Sequence, residues 1–298
     1  RRCLVGSEMC IRDRIDSHGS ESIKEKFINR LSTMEIMSSY CLTEAGSGSD
    51  AAAMKTSALR KGNSHYVLNG SKSFISGGPT SDVFAVMCRT GEDGANGVSC
   101  VLIEKETKGL SFGKQEKKMG WNSQHTSTVN FDNCEIPIDN IVGNEGDGFK
   151  IAMKGLDGGR VNIAACSLGG ARAALEASLS YAADRKQFGK SIDQFQATQF
   201  KLADMATELE ASRLMVLRAA ASLDSKDIQA TKYCAMAKRF ATDICSDICN
   251  EALQIHGGYG YLKDFPLERL VRDLRVHQIL EGTNEIMRVI ISRKLKGN

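Results

Sequence analysis

The sequence holds no C-x-x-C pair, no apolar run of transmembrane length and no block of like charge, and each absence removes a class of function. Ten cysteines are many for 298 residues, yet they are scattered, which leaves no metal or redox dithiol signature and fits a reduced, intracellular compartment. Cys245 and Cys249 stand four apart inside a helical pattern, where packing accounts for them; a metal site needs more ligands nearby. No stretch reaches the ~18 consecutive apolar residues of a membrane-spanning helix, and no secretory signal is visible. The net charge of +3 is too small, and too evenly spread, to argue for a nucleic-acid partner. No G-x-G-x-x-G follows a predicted strand, so a Rossmann site is unsupported. Gly189-Lys190-Ser191 is not a phosphate loop either, because a Walker motif puts glycine where Asp184 stands.

What remains has ordinary globular composition, 25% charged and 42% apolar, and the length suffices for one large or two to three small domains. Arg1–Arg14 shows no clear period and is expected to be a non-native leader outside the fold. Residues 15–39 read as the tail of a helical region, with Ile23, Phe27 and Leu31 at spacing four. Residues 40–145 change character. His65–Leu68, Asn69-Gly70 and Ser71–Ser76 predict a hairpin with a type I′ turn. Val83–Arg89, Val98–Glu104 and Ser127–Phe131 are further strands between Gly-rich turns, so the region reads as a compact antiparallel β domain. From Gly148 the period is helical. Leu202, Met205, Leu209, Ser212 and Val216 form one stripe. Met236, Phe240, Ile244 and Ile248 form another, beside small Ala237, Ala241 and Cys245. Gly257-Gly258 should end that helix, and Pro266 marks the next connection. Residues 146–298 are therefore expected to form a bundle of about four antiparallel helices, and the class is α+β.

Six segments carry candidate chemistry. Tyr40-Cys41-Leu42-Thr43-Glu44-Ala45-Gly46-Ser47-Gly48-Ser49-Asp50 alternates glycine and serine, which lets backbone approach a flat ring or a phosphate while offering N–H and O–H donors. Phe74-Ile75-Ser76 puts an aromatic and a hydroxyl on a strand. Leu156-Asp157-Gly158-Gly159-Arg160 carries a helical arginine able to make charge-assisted hydrogen bonds. Asp184-Arg185-Lys186-Gln187-Phe188-Gly189 is a basic helix end. Gln254-Ile255-His256-Gly257-Gly258-Tyr259-Gly260-Tyr261 is glycine-rich, and its lone histidine reads as structural rather than as a base. Last, Glu281 in Gln278-Ile279-Leu280-Glu281-Gly282-Thr283-Asn284-Glu285-Ile286-Met287-Arg288 lies between an apolar run and a new helix, as suits a base held at a backbone elbow.

Together these strings closely resemble the acyl-CoA dehydrogenases, over residues 15–298. The resemblance implies an α+β fold with a central antiparallel β domain followed by a C-terminal four-helix bundle. It also implies a chain truncated at its N-terminus, since members carry a further helical region before this point. It assigns Glu281 as the catalytic base. FAD would be held by Tyr40, Cys41, Leu42, Thr43, Gly48, Ser49, Phe74, Ile75 and Ser76, and by Thr283, Asn284 and Glu285. Arg185, Gln254, Ile255, His256, Gly257 and Gly258 would meet the FAD of a neighbouring subunit, and Phe195 and Gln196 match weaker FAD contacts. Ser49, Asp157, Gly158, Gly159, Arg160 and Arg293 would contact acyl-CoA. The family usually has proline where Ala45 stands. In the isovaleryl-CoA and long-chain branches the catalytic glutamate lies at the position of Gly159, which leaves Glu281 as the matching base here. Glu285 is a rival carboxylate, expected to be solvated or capping.

The implied reaction removes two hydrogens across Cα–Cβ of an acyl thioester. Glu281 takes the pro-R α-proton, and FAD takes the β-hydride. Hydrogen bonds from the Glu281 N–H and a flavin ribityl hydroxyl steady the thioester oxygen, and burial raises the carboxyl pKa toward neutrality. Electrons then pass to electron-transferring flavoprotein. Phe74 with Ser76, where many members have tryptophan and threonine, matches the branch acting on isobutyryl-CoA. So do Gly120-Trp121-Asn122-Ser123-Gln124, Ser167-Leu168-Gly169, Leu202–Thr207 and His256–Asp264. Conversion of isobutyryl-CoA to methacrylyl-CoA in valine breakdown is the expected function. A different short-chain preference, an acyl-CoA oxidase, a non-catalytic scaffold and an inactive truncated fragment are the alternatives. A homotetramer built as a dimer of dimers is expected, without nucleic acid or stable membrane insertion. Its home would be the mitochondrial matrix in a eukaryote and the cytoplasm in a bacterium.

Overall fold

A computed structural model describes residues 5–296, and the side chains of residues 11–296. The chain divides into two compact units. One takes in the residues up to Lys117 together with Asn122–Leu156, and the other comprises Lys118–Trp121 and Asp157 onward.

The first unit opens with two helices, α1 (Val5–His18) and α2 (Glu21–Ser32). Ser20 caps α2 by accepting the Ile23 N–H, and Ile23, Phe27 and Leu31 form its buried face as their spacing predicts. Of the stretch set aside as a leader, Arg1–Leu4 lies outside the described residues. The remainder is helical, and Ile11 is buried with Ile15 in the core.

The strands follow: β1 (Ser38–Cys41), β2 (Ser57–Lys61), β3 (His65–Ser76), β4 (Val83–Arg89), β5 (Val98–Glu104), β6 (Leu110–Phe112), β7 (Thr126–Pro137) and β8 (Ile141–Val142). They form one sheet in the order β6-β7-β3-β2-β4-β5-β8, with β1 also on β4. Pairing is antiparallel except where β1 and the first residue of β2, Ser57, run parallel to β4. The central strands are buried on both faces. Val83, Ala85 and Met87 join the core shared with the two helices, while Phe84, Val86 and Cys88 point into a second core with Leu68, Val129 and Phe131. Period-two alternation therefore sorts one apolar run between two cores.

The expected hairpin at Asn69-Gly70 is not formed. β3 runs straight through it, and the turn lies earlier, because Lys61 on β2 pairs with His65. Asn69-Gly70 instead faces a bulge in β7, where Asn69 Oδ1 accepts the Asn133 N–H at 2.8 Å. Gly70 has φ 142, and an added Cβ would lie 2.7 Å from Thr56 Cα, so glycine serves close approach here rather than a turn. A compensating bulge follows on β3 itself between Lys72 and Ile75.

The second unit contains most of α3 (Gly148–Asp184), whose first residues belong to the other unit, then a short hairpin β9 (Lys186–Gln187) and β10 (Lys190–Ser191). Two long helices, α4 (Gln196–Asp224) and α5 (Ala230–His256), and two short ones, α6 (Leu267–Arg275) and α7 (Asn284–Leu295), complete it. The bundle is thus three long helices with two short ones. α4 buries Leu202, Met205, Ser212 and Val216 as expected. On α5 the buried face is mainly the small one, with Ala237, Ala241, Cys245 and Cys249 inside; of the larger stripe Ile248 is buried as expected, while Met236, Phe240 and Ile244 are only partly covered. Small residues let α4, α6 and α7 pack closely on one helix, and close packing outweighs burial of the larger stripe. Cys245 and Cys249 are free, buried core residues. α5 ends at Gly257 with φ 57, and Pro266 precedes α6. Among the described residues no helix is long and apolar enough to cross a membrane.

Replacing Gly70 with alanine forces both an unfavourable φ and a collision with Thr56 backbone. We expect a loss of roughly 1–3 kcal/mol, read as a lower urea midpoint at unchanged m-value.

Candidate functional site

Three groups of the predicted residues assemble, one in the first unit and two in the second. In the first unit, the bulge in β3 places Phe74 in the left-handed region at φ 58, and the residue is 68% exposed. A bulge re-aims a side chain that the pleat would bury. Ser76 remains partly exposed, while Ile75 turns into the core. The Tyr40–Asp50 segment is tied to this strand, because the Ser73 N–H donates to the Thr43 carbonyl at 2.8 Å. Gly48 and Ser49 are exposed, Tyr40, Leu42 and Thr43 are half-buried, and Cys41 is wholly buried, so the Cys41 side chain faces away from any ligand.

Beneath that segment lies an ion pair to which the sequence assigned no role. Lys72 is fully buried, and its Nζ donates to Glu44 Oε1 at 2.8 Å and to the Leu42 carbonyl at 2.9 Å. Glu44 also accepts the N–H groups of Lys55 at 2.7 Å and Thr56 at 2.9 Å. Burial raises the Glu44 pKa, but hydrogen bonds from Lys72, Lys55 and Thr56 outweigh it and bring the carboxyl down to about 2.

The second group centres on Glu281, which links the turn after α6 to α7. The turn closes through Ile279 and Leu280 N–H groups donating to the Val276 carbonyl. Glu281 follows at φ 56 and Gly282 at φ 87, and Thr283 caps α7 by accepting the Ile286 N–H. A non-glycine residue at positive φ costs roughly 1–2 kcal/mol, so the elbow must be held. Arg160 Nε donates to the Glu281 carbonyl at 3.3 Å, and Lys238 Nζ donates to the Gly282 carbonyl at 2.9 Å. The carboxyl lies against Gly159, where an added Cβ would come within 2.4 Å of Oε2. Glu281 as a whole is half-buried, but protein crowds its carboxyl. Desolvation lifts the pKa to about 7, with Arg160 and Lys238 opposing the rise. Among the described residues no acceptor takes the Glu281 N–H.

The neighbours predicted to touch ligands divide. Arg160 is buried and also donates to Asp157 Oδ1 at 2.7 Å, while Asp157 Oδ2 accepts from Thr231 at 2.6 Å. Gly158 is half-buried beside them. Asn284 is 3% exposed, with its amide donating to Asp243 and Thr242 and its oxygen accepting from Lys238. Glu285 is exposed, its carboxyl lowered by its own backbone N–H and by Thr283, as a capping residue's would be. Arg293 is exposed in the last turn of α7.

The third group forms around the end of α5. A cavity of about 440 Å³ is lined by Arg185, Ile255, His256, Gly257, Gly258 and Tyr259, among others. Phe195, Gln254 and Ile255 help line a second, of about 370 Å³. Gln196 is exposed at the start of α4. The Arg185 guanidinium stands 5.6 Å from the Tyr259 ring centroid. His256 Nδ1 donates to the Ala252 carbonyl at 2.8 Å and its ring stacks on Tyr181, which makes it the structural histidine expected.

Sequence reasoning missed Lys238, Lys72 and His277. A signal existed for Lys238, since a lysine stands on the small-residue face of α5. His277 is 3% exposed, with Nδ1 2.8 Å from Ser167 Oγ and its ring 5.0 Å from that of Trp121. Desolvation, helped by Lys238, lowers its pKa to about 4, so it is neutral.

The family models for the acyl-CoA dehydrogenase middle domain and C-terminal domain match residues 39–134 and 146–296. The mitochondrial isobutyryl-CoA dehydrogenase of Bos taurus is 58% identical over 281 residues, which is 94% of this chain and 67% of that protein. Among solved structures, butyryl-CoA dehydrogenase from Megasphaera elsdenii gives a TM-score of 0.96 at 38% identity, covering 98% of this chain and 76% of that one. PigA with FAD and proline gives 0.95 at 32% identity with the same two coverages.

Lys72→Met leaves Glu44 buried without its cation and is expected to cost about 3–5 kcal/mol in chemical denaturation. The wild-type contribution of Glu44 is present above its ordinary pKa of 4.5 and is lost as the pH falls toward about 2. The deficit of the variant should therefore shrink in acid.

Proposed function

The chain belongs to the acyl-CoA dehydrogenase family, and from that premise we propose that Glu281 is the base that removes the α-proton of a short branched acyl-CoA, isobutyryl-CoA, with FAD as oxidant. Acyl-CoA dehydrogenase activity follows from the family; the acyl group, the cofactor contacts and the residue roles are the proposal. The observation that carries it is Glu281 itself. It is a desolvated carboxyl with a pKa of about 7, fixed at an elbow and seated on a glycine. A base with a pKa near the working pH is populated as carboxylate and is still strong enough to accept a carbon-bound proton.

The residues present fit a flavin dinucleotide. In the first unit, Phe74 offers an exposed ring from a strained bulge, and a Cβ added at Gly46 or Gly48 would meet nothing within 4 Å. In the second unit, Arg185 lines a cavity beside Gly257 and Gly258 and can meet the pyrophosphate of a neighbouring subunit's FAD. Bound FAD would supply the acceptor for the β-hydride. The chain's own part is proton chemistry and orientation. Glu281 takes the α-proton, and its N–H is a donor for the thioester oxygen on which negative charge grows. Arg160 holds the Glu281 carbonyl, so carboxyl and N–H keep one relative placement. Electron-transferring flavoprotein as electron acceptor and a homotetramer are part of the same reading. Isobutyryl-CoA is supported by the 58% identity to the Bos taurus enzyme and by Phe74 paired with Ser76. One methylene in an apolar pocket shifts preference only ~10–200-fold, so neighbouring short acyl groups should react more slowly rather than not at all.

Glu281→Gln should retain FAD and reduce anaerobic flavin bleaching by acyl-CoA at least ~10²–10⁴-fold; a variant that is still bleached rapidly means another base. Stability gives an independent reading. Because the folded pKa is raised, Glu281 stabilises the fold below its ordinary pKa of 4.5, and that contribution is lost as the pH rises through about 7. The glutamine variant should melt higher, relative to wild type, in mildly alkaline than in acidic buffer. Gly159→Ala should keep FAD and slow reduction by ~10²-fold, because its Cβ displaces the Glu281 carboxyl.

A further inference from the structure

The geometry points to Lys238 as a positioning residue for the base. With Arg160 it clamps the two successive carbonyls of the elbow, so that Glu281 presents its carboxyl and its N–H in one fixed arrangement. The inference rests on the reading of Glu281 as the base.

Lys238 is 0% exposed on the small-residue face of α5. A buried ammonium is costly to desolvate, and an apolar residue would fill the same space without that cost, so the charge calls for a reason. Among the described residues its acceptors are the Gly282 carbonyl in the elbow, at 2.9 Å, and Asn284 Oδ1 at the start of α7, at 2.8 Å. Asn284 is anchored in turn, its amide donating to Asp243 Oδ1 at 2.6 Å and Thr242 Oγ1 at 2.9 Å, both on α5. The lysine and the asparagine thus tie both ends of the Gly282–Asn284 segment to one rigid helix. Arg160 meanwhile holds the preceding carbonyl, that of Glu281. Successive peptide planes are each fixed by a cation, which holds the left-handed backbone at Glu281 in place.

Charge gives Lys238 a second effect on the same residue. Glu281 feels two cations, Arg160 and Lys238, and each opposes the rise that burial causes. Lys238 is itself lowered to about 8, first by desolvation and also by Arg160, while Asp243, Glu281 and Glu285 hold it up. Lys238 also acts on His277, which burial and the Lys238 charge together keep neutral. Removing the Lys238 charge therefore raises the Glu281 pKa and moves the ascending limb of the rate profile to higher pH. A merely structural lysine would not do this.

The test uses FAD-loaded Lys238→Met and Lys238→Arg beside wild type and Glu281→Gln. Anaerobic flavin reduction by isobutyryl-CoA is followed across neutral pH, with S-isobutyl-CoA, a thioether lacking the carbonyl, as a binding probe. Lys238→Met should slow reduction at least ~10-fold and shift the limb upward, with thioether affinity held within about 2-fold, and Lys238→Arg should restore the limb. Unchanged rate and limb overturn the proposal, as does slow reduction with an unmoved limb and weakened thioether binding. If Lys238→Met yields no FAD-loaded enzyme, Asn284→Ala decides the matter, since it removes one acceptor and leaves the charge. Slower reduction with the limb in place supports the clamp, and a wild-type rate overturns it. Rapid reduction of Glu281→Gln would sink the base assignment instead, so the two failures are distinguishable.

Discussion

The elbow at Glu281 is held by buried charge, and the chemistry proposed for this chain depends on that restraint. Helix propensity does not place a glutamate at φ 56, and Gly282 at φ 87 makes the following position permissive rather than fixed. Arg160 from α3 and Lys238 from α5 supply what the local backbone lacks, each through one carbonyl. The same two cations moderate the pKa of the carboxyl they position. Geometry and proton affinity are therefore set by one pair of side chains. Gly159 sets the limit on the remaining side, since any larger residue would occupy the space of the Glu281 carboxyl.

The first unit solves a related problem with different parts. An aromatic ring must stay exposed on a strand whose neighbours are core. The bulge at Ser73-Phe74 turns the ring outward, and because it offsets the bulge near Asn133 the two long strands stay paired through Ser76. Lys72, one residue before the bulge, is tied to Glu44 and to the Leu42 carbonyl. The glycine- and serine-rich segment is thereby fixed to the strand that carries Phe74. In each unit a buried lysine converts a strained or flexible segment into a defined one, and sequence reasoning assigned neither lysine a role.

How much of this was legible in the sequence follows from the range of the interactions involved. α2 and the α4 stripe were readable because spacing reports burial directly, and β4 and β5 because continuous apolar runs mark strands covered on both faces. The Asn69-Gly70 hairpin was misread, since a dipeptide that accepts positive φ serves a bulge as well as a turn, and only Thr56 and Asn133, distant in sequence, decide between them. The large stripe on α5 was overvalued because periodicity does not say whether neighbouring helices pack closely enough to prefer alanine. At the site, Glu281 stood out through its neighbours in sequence. Lys238 did not, since its partners lie more than forty residues away. Asn284 was read as a ligand contact, yet both ends of its amide are taken by α5.

The central claim is best tested by an anaerobic absorption spectrum of the FAD-loaded wild-type protein, titrated with isobutyryl-CoA and then with butyryl- and isovaleryl-CoA. The account predicts bleaching of the oxidised-flavin band by acyl-CoA, fastest and most complete with isobutyryl-CoA. A yellow protein that none of the three bleaches would contradict it.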